Sequence, residues 1–187
     1  MSLHARDGAN ANSALVVTVV PGDFDDRSPL AGMEFQREWE LRAYDAGGGN
    51  HVAPAQSVGD FLEGRPSGAF RRIIPTYPRG VAPTSLDSCL PPFVAATLRS
   101  ALPALDARMR GFAAADAVLT AIETRTSSPV RMVRDGSCES PIRGLFPAGE
   151  GAGHAGGIVS AAVDGLRAAE SIVSRYAPED AGIRTEG

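Results

Sequence analysis

No apolar run in this sequence reaches the length of a membrane-spanning helix, and no basic-then-apolar leader opens it. Cysteine is scarce: Cys89 and Cys138 stand alone, without the paired spacing of a metal or redox site. Read as ordinary thiols, they point to a reducing compartment, and the expected location is cytoplasmic. His4 and His51 have no clustered ligand partners, so no metal site is expected. The net charge of −4 offers no general attraction for nucleic acid or an anionic membrane. Ser160 lacks the spacing of a hydrolase nucleophile elbow, which removes support for a hydrolytic triad. No internal repeat and no low-complexity tract is visible.

What is present is an ordinary globular balance, 43% apolar and 21% charged over 187 residues, enough for one domain or two small ones. Met1-Ser2-Leu3 and Glu186-Gly187 read as added ends. Residues 4–12 form a polar lead-in, and 14–20 is a strand by β-branched content, ended by Pro21-Gly22. Ser28-Pro29 predicts an N-cap and first helical position, with Gly47-Gly48-Gly49 as the stop. In that helix Phe35, Trp39 and Ala43 share one stripe and Met33, Leu41 and Tyr44 another, predicting contacts on two faces. Residues 51–58 are extended at best because of Pro54, 60–62 is a helical turn, and the proline-rich span 65–83 is irregular. A short helix is expected over 85–90. Another begins at Pro91-Pro92 and is broken or kinked at Pro103 before reaching about Arg110, with Phe93, Leu98, Leu102, Leu105 and Met109 inward. Alternation predicts a strand over 117–126, and Val130 to Arg134 a returning one.

The stretch from Gly144 to Gly165 reads as a short buried strand (Leu145, Phe146, Ala148), a loop rich in glycine, and a helix from Ile158 to about Tyr176. Glycines 149, 151, 153, 156 and 157 let the chain bend sharply or let a ligand lie against bare backbone. A helix opening on glycines presents free N–H groups and its positive dipole end, which suits an electron-rich ligand. Gly151, Gly153 and Gly156 spell a G-x-G-x-x-G, but the chain runs out soon after Tyr176, with no room for the second strand of a dinucleotide-binding unit. A P-loop is excluded because no Lys-Ser or Lys-Thr pair follows the glycines. The remaining reading is a terminal strand–loop–helix that docks on a sheet made elsewhere.

The run from Glu123 to Arg131 followed by Gly144–Gly165 resembles the C-terminal signature of a family of uncharacterised FAD-dependent dehydrogenases, within the flavoproteins built like glutathione reductase. Arg6 to Leu15 and Ala53 to Leu62 also resemble that family, so the likeness covers nearly the whole chain. It implies an α+β fold: a cap or substrate-domain region over 4–113, and over 114–178 the C-terminal part of an FAD-binding domain whose N-terminal dinucleotide-binding part is absent. It also implies that Gly149 and Glu150 lie at the cofactor, with Glu150 holding the FAD ribitol, and that the N–H groups of Gly156, Gly157 and Ile158 face the flavin pyrimidine edge. The bland readings are a solvated loop carboxylate, and glycines that only let helix and sheet approach closely.

Arg125, Ser127, Ser128 and Arg131 form a polar group beside a turn, suited either to a substrate carboxylate or phosphate or to a solvated hairpin end. His154, inside the glycine loop, is a substrate-side candidate for proton transfer, or else structural. No catalytic residue is assigned. The resemblance implies the C-terminal portion of an FAD-dependent oxidoreductase, inactive alone, with no FAD expected on the isolated chain. FAD and a small-molecule substrate are engaged through the missing N-terminal portion. An uncovered helix face and open strand edges predict a homo-oligomer or partial disorder near the C-terminus. The alternative is a non-catalytic binding or assembly module with a structural glycine loop.

Overall fold

The computed structural model describes residues 4–24 and 27–177. The added ends read at Met1–Leu3 and Glu186–Gly187, and any disorder expected beyond residue 177, lie outside that range. The chain divides into two compact units, residues 1–26 with 34–124 and residues 27–33 with 125–187. Helices α1 (Ala31–Ala46), α2 (Val58–Glu63), α3 (Pro92–Arg108) and α4 (Ile158–Tyr176) accompany strands β1 (Ala53–Ser57), β2 (Val81–Pro83) and β3 (Val118–Thr120). The fold is α+β, as the sequence predicts.

In the first unit the sheet has the order β2-β1-β3, with β2 parallel and β3 antiparallel to the central strand. Pro54 sits in that central strand, where the sequence reading expects little structure. Its missing N–H is harmless because only its carbonyl is used, accepting from Ala121 N at 3.0 Å, while Ala53 N and Ala55 O bond toward β2. Ser57 caps α2 by accepting from Asp60 N at 3.2 Å, and Gly64 closes the helix in the left-handed conformation. Phe61 and Val58 on α2 pack with Leu86, Cys89, Leu90, Ala95, Leu102 and Ala43 into the core of this unit. Gln56 is fully buried yet satisfied, donating to Arg65 O at 2.7 Å and accepting from Leu86 N at 2.8 Å.

Several expected elements differ. Residues 14–20 form no strand, and Val16, Val19 and Val20 are exposed, since β-branched content makes a strand only where a neighbour pairs with it. The strand expected over 117–126 is confined to β3, and the short helix expected over 85–90 is a single turn over Leu86–Ser88. α3 runs unbroken through Pro103. Leu102 is its fully buried contact and Met109 is exposed. On α1, Trp39 and Ala43 are buried while Met33, Leu41 and Tyr44 are exposed, Tyr44 packing edge-on against His51 with ring centroids 5.1 Å apart.

In the second unit no strand is present among the described residues. Residues 130–134 and 145–148, both expected as strands, are irregular. Pro147 lacks a donor, Leu145 is 45% exposed, and no strand in this unit offers an edge for either segment to join.

Candidate functional site

The glycine loop is built against residues 128–134, all within the second unit. Ser128 Oγ lies 2.9 Å from Val130 O and 3.1 Å from Gly151 O, so its single proton serves one or the other. Met132 N donates to Ala152 O at 3.0 Å, and His154 Nε2 donates to Met132 O at 2.8 Å, which places the proton on Nε2. His154 N returns to Gly149 O at 3.1 Å and Gly153 N to Glu150 O at 2.9 Å, tightening the turn. Gly153 is needed where it stands: its φ is +77°, and a Cβ there would lie 2.4 Å from Val130 O.

A second set of contacts, which the sequence reading misses, ties the loop to α4. Asp164, 7% exposed, accepts from Gly149 N at 2.8 Å and from Arg134 Nη1 at 3.0 Å through Oδ2, and from Arg134 Nη2 at 2.5 Å through Oδ1. Arg134 Nη1 also donates to Pro147 O at 2.7 Å. Toward the other end of α4, Arg175 pairs with buried Glu139, which accepts from Gly144 N at 2.7 Å. The covered side of α4 carries Ala161, Asp164, Gly165, Ala168 and Ser171. Small residues with a single carboxylate were the available signal, because such a face allows close approach and leaves the acid no water.

The Arg134 hydrogen bonds, then that from Gly149, hold the Asp164 carboxyl well below the ordinary value of 3.8. A carboxylate depressed by folding contributes its full stability above the unfolded value, begins to lose it there, and loses it progressively as pH falls on through the lower folded value. Unfolding by urea is therefore expected to become easier below about pH 4, with Asp164→Asn flattening that acid slope. An unchanged slope in the variant would show that the pair is not formed in solution.

The candidate residues divide in two. Gly149, Ser128 and His154 are bound into the loop scaffold, and the Gly149 N–H is already used by Asp164. Arg125, Ser127 and Arg131 have exposed side chains, and Glu150 is half-buried beside the loop. At the start of α4 the picture is open. Gly157 occupies the N-cap with no side-chain cap, Ile158 is 92% exposed, and nothing lies within 4 Å of where a Cβ at Gly151 or Gly156 would stand. Bare backbone and uncapped N–H donors at the positive end of the helix dipole suit an electron-rich ligand laid on the glycines.

Residues 1–126 match the family described as "FAD-dependent protein, C-terminal domain-like". That match ends before the glycine loop. The chain is also similar to an uncharacterized protein of Clostridium beijerinckii (strain ATCC 51743 / NCIMB 8052), with 53% identity over 177 residues. These residues are 94% of this chain and 33% of that relative, so the chain spans about a third of its relative's length.

Proposed function

This chain belongs to the FAD-dependent protein family, C-terminal-domain-like, and we propose that it is the C-terminal portion of an FAD-dependent oxidoreductase of the dehydrogenase type, built like glutathione reductase. In this reading residues 4–113 are the cap or substrate-side region, and 114–178 the returning piece of the FAD-binding domain. FAD, when bound, supplies the hydride chemistry. Gly156 and Gly157 give the ring a bare surface, the N–H groups at Ile158 face its electron-rich edge, and Glu150 takes the ribitol hydroxyls. Arg125, Ser127 and Arg131, exposed as they are, serve an anionic small-molecule substrate on the solvent side; the scaffold-bound Ser128 and His154 shape that side. A cytoplasmic location is part of the same proposal. Separately, no helix among the described residues is long and apolar enough to cross a membrane.

The observation that carries the reading is the uncapped, glycine-lined start of α4, with open space over Gly156. It gives a direct test. Gly156→Ala meets nothing, so stability should stay within about 0.5 kcal/mol. In the chain co-produced with the missing flavin-binding portion, the same methyl should lift the ring and weaken FAD at least about tenfold, or 1.4 kcal/mol. The 187-residue chain alone, mixed with FAD and desalted, should keep no flavin absorbance, because most of the affinity lies in the absent contacts. Unchanged FAD binding in Gly156→Ala would place the ring elsewhere and favour a purely structural loop.

A further inference from the structure

The Arg134–Asp164 pair does more than join two segments. Its carboxylate takes the Gly149 N–H while its guanidinium takes the Pro147 carbonyl, so both sides of Ala148 are fixed from one point on α4. Buried ion pairs often hold elements together no better than an apolar pair of the same shape. An apolar pair, though, could not satisfy the Gly149 N–H or the Pro147 carbonyl, and the loop would then be free to rotate about its glycines. Of the loop's other bonds, those from Ser128, Met132 and the His154 ring act at residues 151–154, while His154 N to Gly149 O and Gly153 N to Glu150 O close the turn on itself and give it no tie to α4.

We propose that Asp164 and Arg134 are positioning residues that set the register of the glycine loop against the first turns of α4, and so hold Glu150 and the helix N-terminus toward one ligand. The inference rests on the reading that this site takes flavin. Neither residue touches the ligand. Both act through the loop backbone, which distinguishes them from the glycines and Glu150.

The experiment has two arms. In the 187-residue chain, amide exchange at Gly149 is measured by NMR for wild type, Asp164→Leu, Asp164→Asn and Arg134→Met. Asp164→Leu removes the acceptor and should speed Gly149 exchange at least about tenfold, with the β1 amides unchanged. Asp164→Asn keeps an acceptor oxygen and should restore most of the protection. In the complex with the flavin-binding portion, FAD affinity should fall about tenfold or more in Asp164→Leu and recover in Asp164→Asn. The bound-flavin absorption bands should shift with it, which loss of fold alone would not produce. If Asp164→Leu does not fold, Arg134→Met and Asp164→Asn carry both arms. Unchanged Gly149 exchange overturns the proposal. So does a loosened loop with wild-type FAD affinity and spectrum, provided Gly156→Ala weakens FAD in the same assay. Should wild type bind no FAD at all, the flavin reading fails instead, and the exchange arm alone decides whether the pair sets the loop.

Discussion

Gly153→Ala is expected to destabilise the second unit by roughly 2–5 kcal/mol and to detach the glycine loop from residues 130–132. The added Cβ would stand 2.4 Å from Val130 O, 2.9 Å from Arg131 Cα and 3.2 Å from Arg131 Cβ. The first two are backbone atoms that cannot swing aside as the end of a flexible side chain can. The φ of +77° adds the left-handed penalty of roughly 1–2 kcal/mol for a residue with a Cβ. Relief requires moving residues 130–131, which breaks the Met132 N to Ala152 O bond and the His154 to Met132 O bond together. Urea unfolding gives the loss, and the His154 ring resonances report whether the bond survives. A variant within about 0.5 kcal/mol of wild type, with the His154 contact intact, would refute the close approach. Gly151→Ala, with nothing within 4 Å, is the control for a general effect of alanine in the loop.

The contrast between these glycines shows where sequence is informative. A glycine-rich stretch announces that bare backbone matters somewhere, but only the neighbour decides which glycine is a hinge and which a surface. The helices were legible because their signals are local: the spacing from Ile158 to Tyr176, the Pro91-Pro92 start of α3, the glycine stop of α1. Strands were not, because pairing is a non-local property. Residues 14–20 look more strand-like than Ala53–Ser57, yet the second has Val81–Pro83 and Val118–Thr120 to pair with and the first has none. Pro54 disguised the central strand, since its tolerance depends on a carbonyl-only role visible only once β3 is in place. At the site, the loop and helix start could be read directly. Arg134 and Asp164 could not, being 30 residues apart and joined only by the fold.

Leu166→Asp on α4 is expected to leave the 187-residue chain folded and to weaken its association with the flavin-binding portion about 100-fold or more. The helix is set with its large apolar residues outward: Ile158, Val159, Val163, Leu166 and Val173 are exposed, Leu166 by 64%, while Asp164 and Ala168 are buried. A helix held on its inner side by small residues and ion pairs at Arg134 and Glu139 leaves its hydrophobic stripe uncovered among the described residues. On the reading proposed above the occupant is the flavin-binding portion, in keeping with the chain's alignment over only 33% of its relative's length. Full burial of a leucine contributes about 1.5–3 kcal/mol, and an unpaired carboxylate in its place costs several more. The loss should thus exceed about 2.7 kcal/mol, or 100-fold. Taken alone, the exposed substitution should shift stability by less than about 0.5 kcal/mol. It should also reduce self-association of the chain in sedimentation, since the same stripe is what two copies would otherwise bury against each other. Wild-type affinity of the variant for the flavin-binding portion, with self-association abolished, would assign the stripe to a second copy of this chain and remove this face from the cofactor-domain interface.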